Sequence, residues 1–341
     1  MKLSKRHFLQ SSVGLGVGLG LGLMVDEVGR TLVRGERLLM GFGTQLSIAA
    51  AHWDAKALER ALDASVARLR HLESVMSLFL GDSQVSQLNR TGLLRSPNSD
   101  LLQILRLAQE VSQQSAGAFD VTVQPLWTLW RQASLEKRLP SAVELQRAQA
   151  LVSWQALEVK DDVVRFKQPG MGLTLNGIAQ GYACDQARAV LQQYGVRHAL
   201  LDLGEWSAFG DSDWSAPKIG VGHPRAVNEL LATVNLHSRQ ANIPKSLATS
   251  SDAQMSFSDD HLYHHIFDPH TGASPAMASS VSVVAESCAL ADALTKVFFM
   301  EASKGTGFDH WVDRSKALCR QWEVEVILAD KAGSVWSNLL G

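Results

Sequence analysis

Between residues 54 and 76 the apolar side chains Leu58, Leu62, Val66, Leu69, Leu72 and Met76 recur at helical spacing, and no other stretch constrains the chain as strongly. Steps of three and four residues place all six on one stripe of an α-helix, and such a stripe is stable in water only when a second apolar surface covers it. Residues 38–50, just before it, read as a strand entered at Gly43-Thr44. A second helix begins at the Ser99/Asp100 cap and carries Leu101, Leu105, Ala108 and Val111 on one face. Further helices are expected over residues 142–151, 178–194 and 287–300. Strands are expected over 156–159, 163–167, 197–203, 218–221, 281–284 and 322–329. Residues 217–245 are the least periodic long segment and read as surface loops. Distant strands interleaved with long helices predict an α+β fold, mixed or antiparallel sheets packed with helices, forming one unit over residues 35–341 with no internal repeat or linker.

The charge balance narrows the partners. Lysine plus arginine (32) nearly cancels aspartate plus glutamate (34), so the chain lacks the positive field of a sequence-independent nucleic-acid binder. Cys184, Cys288 and Cys319 lie far apart with no CxxC pair, which argues against a zinc knuckle or a dense disulfide framework. Residues 1–30 follow a different logic. Lys2, Lys5, Arg6 and His7 precede a charge-free stretch that lasts until Asp26, the order of an export signal. The run from Ser4 to Gln10 resembles a twin-arginine signal with lysine in place of the first arginine. Glycines alternating from Gly14 to Gly22 lower hydrophobicity and helix propensity, which favours export over a membrane anchor. The expected location is the periplasm.

Chemistry is concentrated in short polar and glycine-rich stations. They are Phe42-Gly43-Thr44, Met76-Ser77-Leu78-Phe79, the stretch Ser83 to Asn89, Gly117-Ala118-Phe119-Asp120, the stretch Leu175 to Tyr182, Thr249-Ser250-Ser251-Asp252, His264 to Pro269 with Thr271-Gly272, and Ala291-Asp292-Ala293-Leu294. Gly177 and Gly181 flank a helix start, where missing side chains let backbone approach a charged ligand, although a plain strand-to-helix turn has the same signature. Gly117 follows the second helix and suits a C-terminal cap.

Taken in order, these stations resemble the ApbE family, the FAD:protein FMN transferases. The resemblance implies that FAD is bound by Ala118, Phe119, Asp120, Thr174, Gln180 and the backbone of Phe267, with Phe42 and Phe79 lining the flavin. It implies Mg2+ held by the Gly177 carbonyl, Asp292 and a helical threonine, and it makes His265 the base beside the reacting phosphate, with His261 and His264 as exposed neighbours. The partner it implies is a flavin-accepting protein, a periplasm-facing subunit of a redox complex near the inner membrane. The chain departs from the family pattern at several positions. Four residues after Asp292 stands Lys296 where a threonine is expected, so Thr295, at the third position, becomes the candidate ligand. Lys296 then either points aside from an ion or supplies the positive charge itself; an ion is the favoured expectation, because Asp292 has little reason to face a pyrophosphate without one. Thr174, Gln180, Glu205-Trp206 and Ser251 are further departures. They keep open an FAD pyrophosphatase or a non-catalytic flavin-binding relative.

Overall fold

The structure, a computed structural model, describes residues 31–210, 218–226, 228–236 and 243–339. The export signal expected over residues 1–30 lies outside them. Strand β1 (Val33–Gly41) turns directly into β2 (Thr44–His52), so the single strand expected over residues 38–50 is a hairpin. Gly41 pairs with Thr44 across the two-residue loop Phe42-Gly43, whose φ values are 49° and 81°. Both loop residues are left-handed, as a primed hairpin turn requires; Gly43 adopts this freely, whereas Phe42 is held there at some cost.

Helix α1 (Ala55–Met76) is capped by Asp54, whose carboxylate accepts from the amides of Lys56 (2.8 Å) and Ala57 (3.2 Å). Its buried face carries Leu58, Leu62, Leu69, Leu72 and Met76 of the expected stripe, whereas Val66 is only half-buried; Ala61, Ser65 and Val75 are buried beside them, and Ser65 bonds the Ala61 carbonyl. There follow α2 (Gln84–Thr91), β3 (Leu93–Arg95), α3 (Ser99–Gln114), α4 (Gln124–Leu135), α5 (Ala142–Gln149), β4 (Leu157–Val159), β5 (Val163–Phe166) and α6 (Ala179–Gln193). The second half contains β6 (His198–Asp202), β7 (Trp206–Phe209), β8 (Lys218–Gly222), β9 (Leu230–Asn235), β10 (Lys245–Ser251), β11 (Ala278–Ala285), α7 (Cys288–Glu301), α8 (Phe308–Trp322), β12 (Glu325–Asp330) and β13 (Val335–Ser337). Residues 217–245 are not only loop: the strand expected over 218–221 is β8, and β9, too short for a strong alternation in sequence, pairs with it as an antiparallel ribbon. The strand expected from residue 322 begins at Glu325, because α8 runs on to Trp322 and ends with Glu323 left-handed.

Eight strands form one sheet in the order β1-β2-β6-β7-β10-β11-β12-β13, every neighbouring pair antiparallel. Its two faces are told apart by the two-residue period: Ala199, Leu201, Ala248, Val281, Val283, Val326 and Leu328 join the main core under α1, α3, α6 and α7. Leu200, Leu247, Val284 and Ile327 point the other way, where Ile219 and Val221 of β8 and Val234 of β9 cover them. The expected α+β class is what the fold has. Helix α7 is buried almost all round, against α6 on one side and β10 and β11 on another, and it carries Asp292, Thr295 and Lys296.

Candidate functional site

The crossing of α6 and α7 sets the geometry. A Cβ built on Gly181 would stand 2.3 Å from the Cys288 carbonyl oxygen and 2.8 Å from the Ala289 Cα, so the glycine lets the two helices approach to backbone contact. Asp185, one turn on, holds that approach: its carboxylate accepts from Ser287 Oγ (2.8 Å) and from the amides of Cys288 (2.9 Å) and Ala289 (3.0 Å), the free N–H groups that open α7. The Gly181 amide in turn donates to Asp292 Oδ2 at 3.3 Å. Tyr182 points away, its hydroxyl bonding Asp100 (3.0 Å) and Gln103 (2.6 Å) on α3.

Asp292 is 1% exposed. Its Oδ1 receives the Lys296 ammonium at 2.5 Å, and the same ammonium donates to the Asp292 backbone carbonyl at 3.0 Å. Lys296 does not point aside. Its stem lies against the glycine turn, since a Cβ on Gly177 would meet Lys296 Cε at 3.0 Å and Nζ at 3.6 Å. Thr295 faces elsewhere: its buried hydroxyl donates to the Asp292 carbonyl (2.7 Å) and pairs with Ser250 Oγ of β10 (2.7 Å). The set Gly177, Asp292 and Thr295 therefore fits a divalent ion poorly, because the one anionic oxygen facing the turn already holds an ammonium and the hydroxyl is committed to β10.

Around this ion pair lie groups whose protonation is shifted. Glu205 is buried and accepts from the Thr249 amide at 2.9 Å; burial first, and the Asp292 charge second, raise its pKa well above the carboxylate range. Burial raises Asp202 to about 6. Gln180 lies flat on Gly204, where a Cβ would stand 2.2 Å from its amide nitrogen and where φ is 94°.

His265 is half-buried. Its Nδ1 lies 3.1 Å from the Met255 carbonyl. A carbonyl only accepts, so Nδ1 carries the proton and Nε2 keeps its lone pair. Burial chiefly, with the Lys296 charge adding, pushes the imidazole pKa down to about 4, so the ring is neutral at pH 7. His264 is not the exposed neighbour expected: it is 0% exposed, bonded to the Pro275 carbonyl (3.2 Å) and tilted against Phe299. The run of polar residues gives no hint of this, since the backbone turn alone decides which histidine faces inward.

The flavin-side residues are more dispersed. The side chains of Ala118 and Phe119 belong to the main core. Asp120 accepts from the Thr122 amide (2.7 Å), the Thr122 hydroxyl (2.7 Å) and the Trp154 amide (2.9 Å), so its carboxylate braces its own loop. Gly117, with φ at 81°, closes α3 by donating to the Ser112 carbonyl at 2.7 Å. Phe267 is buried in an aromatic group with Trp130 (6.3 Å) and Phe257 (6.2 Å). Phe79 is 58% exposed, and Phe42 is half-buried with its amide on Glu73 (2.8 Å). Thr174 donates its amide to Val121 (2.8 Å), beside Leu173, whose backbone Asn89 clamps through both its N–H and its carbonyl. Sequence reasoning missed Arg225, which meets buried Asp252 through two nitrogens at 2.9 and 2.6 Å; no local signal marks an arginine in an aperiodic loop.

An antiparallel sheet with a buried central helix, and the Gly177 turn, Asp292, Lys296 and Glu205 brought together beside that helix, define an α+β protein with a charged polar site. The ApbE family model matches residues 42–316, and the chain belongs to the ApbE family. Similar proteins named FAD:protein FMN transferase occur in Klebsiella pneumoniae (28% identical; 60% of this chain, 63% of that one), Vibrio cholerae (26%; 74% and 76%) and Chlamydia trachomatis (28%; 85% and 90%). The chain thus matches just under two thirds of the Klebsiella relative's length and more of the others. The fold is shared with an ApbE protein of Thermotoga maritima (TM-score 0.76, 23% identical, 89% of this chain and 97% of that one). It is shared too with the apo flavinyl transferase ApbE of Pseudomonas stutzeri (TM-score 0.72, 23% identical, 90% and 95%).

Proposed function

We propose that this chain is an FAD:protein FMN transferase that moves FMN from FAD to a threonine or serine hydroxyl of a partner protein and releases AMP. The observation that carries the reading is the convergence of three family stations, the Gly177 turn, Asp292 on α7 and His265, on the single ammonium of Lys296. In the reaction the acceptor hydroxyl oxygen bonds to the FMN phosphorus while the bond from that phosphorus to the bridging oxygen breaks, and AMP leaves with the electron pair. The hydroxyl proton passes to Nε2 of His265, which is unprotonated at neutral pH because Nδ1–H is fixed on the Met255 carbonyl. Lys296 places positive charge at the edge of this site, where phosphate oxygens gain negative charge. The divalent ion implied by the family resemblance finds only part of its donor set among these residues, and no step is assigned to it.

The acceptor is a flavin-bearing subunit of a redox complex that faces the periplasm, and the leader over residues 1–30 carries the chain there. Among the described residues no helix is long and apolar enough to cross a membrane. The test is incubation of the full chain with FAD and an acceptor peptide, followed by mass measurement. A peptide heavier by FMN, with stoichiometric AMP, is expected. Free FMN and AMP without acceptor would make the chain a pyrophosphatase, and intact bound FAD would make it a carrier.

A further inference from the structure

We infer that this chain carries its own cation at the pyrophosphate end of the site: Lys296 occupies the place of a divalent ion, so the site binds its nucleotide without metal. The inference rests on the FAD-binding reading above for its ligand, but its structural basis is independent of it. An ion bridging Asp292 and the Gly177 turn needs an uncommitted carboxylate oxygen and a clear volume between the two, with ligand distances near 2.1 Å for magnesium. Neither is present. Asp292 Oδ1 holds the Lys296 ammonium at 2.5 Å, and Oδ2 holds the Gly181 amide at 3.3 Å. The lysine stem fills the space over Gly177, with Cε 3.0 Å from where a Cβ would be.

The third ligand is lost for a separate reason. A hydroxyl three positions after Asp292 lies on the same helix face in projection, yet it is turned by one residue's rotation toward β10. There the Ser250 hydroxyl takes it at 2.7 Å, and both residues are buried, so turning Thr295 back toward the glycine turn would break a satisfied buried pair. Lysine is suited to the task it acquires. It offers three donors, of which two are directed to Asp292, which leaves one for an incoming phosphate. Asp292 then has a role without metal: it fixes the ammonium against the turn.

Titration calorimetry with magnesium, and relaxation measurements with manganese, on the flavin-free full chain test this directly. The wild type is expected to show no saturable binding at millimolar ion, whereas Lys296→Thr, which frees Asp292, gains a single site. A saturable wild-type site abolished by Asp292→Asn would overturn the inference. So would a Lys296→Thr protein that keeps the wild-type near-ultraviolet circular dichroism and still binds no ion, because Lys296 would then not be what excludes it. In a second arm, flavin fluorescence reports FAD affinity in chelator and in magnesium. Equal affinities are expected for the wild type, with a loss of about tenfold or more in chelator for Lys296→Met. Wild-type FAD affinity that rises in magnesium and collapses in chelator also overturns it. A protein that binds no FAD under either condition would instead remove the transferase reading, and the ion titrations would still decide the cation.

Discussion

Replacing Gly181 by alanine should strike the fold and the site together. The added Cβ would stand 2.3 Å from the Cys288 oxygen, 2.6 Å from its carbonyl carbon and 2.8 Å from the Ala289 Cα, all backbone atoms. They cannot give way cheaply, because the first turn of α7 is pinned by three bonds to Asp185. Two effects oppose each other. Alanine in a helix interior gains up to about 1 kcal/mol over glycine, while forcing an extra carbon into a close-packed contact costs up to about 3 kcal/mol. The net expectation is a loss of about 2 kcal/mol, or roughly 3 °C in melting temperature for a protein of this size. Because the Gly181 amide also bonds Asp292, spreading the helices should shift Lys296 and weaken FAD binding. Urea denaturation and thermal melting of Gly181→Ala beside Gly177→Ala provide the assay. At Gly177 the atom met is the flexible end of Lys296, so that variant should melt like wild type. A Gly181→Ala protein as stable as wild type would refute the packing argument.

Asp120→Ala removes the acceptor for three buried donors and should cost about 3 kcal/mol in urea denaturation, so a stable variant with weakened FAD would mean the carboxylate faces ligand rather than loop. His265 should titrate near pH 4 by proton NMR; its folded pKa is depressed, so the stability it contributes is present above about 6.5 and is lost as pH falls toward 4, and a midpoint between 6 and 7 would contradict its burial. Asp202 has the opposite sign: with its folded pKa raised to about 6, ionisation weakens the fold as pH rises from about 4 through 6. Asp202→Asn, which keeps an acceptor for the Gly204 amide, should therefore stabilise the protein by about 1–3 kcal/mol at pH 7.5 and not at all below pH 4, as denaturation at the two pH values would show.

What the sequence determined by itself was the strongest of the patterns that repeat over a few residues. The stripe of α1, the glycine closing α3 and the strands β6 and β11 follow from local sterics and from which face must leave water, whereas α3 is capped by Asn98 rather than at the expected Ser99/Asp100. The order of the stations also carried the family. Shorter or weaker patterns were not legible: β9 alternates over too few residues, and α2, α4 and α8 had no counterpart among the expected helices. At the site, sequence placed Asp292, Thr295 and Lys296 on one helix but could not rank three side chains within four residues of each other. Tertiary structure did so, because Ser250 comes from β10 to take the threonine while the Gly177 turn leaves room only for the lysine. The same holds for His264 and His265, adjacent in sequence and turned to opposite environments by one peptide. Such choices depend on which distant segment arrives beside a side chain, and no local period encodes that.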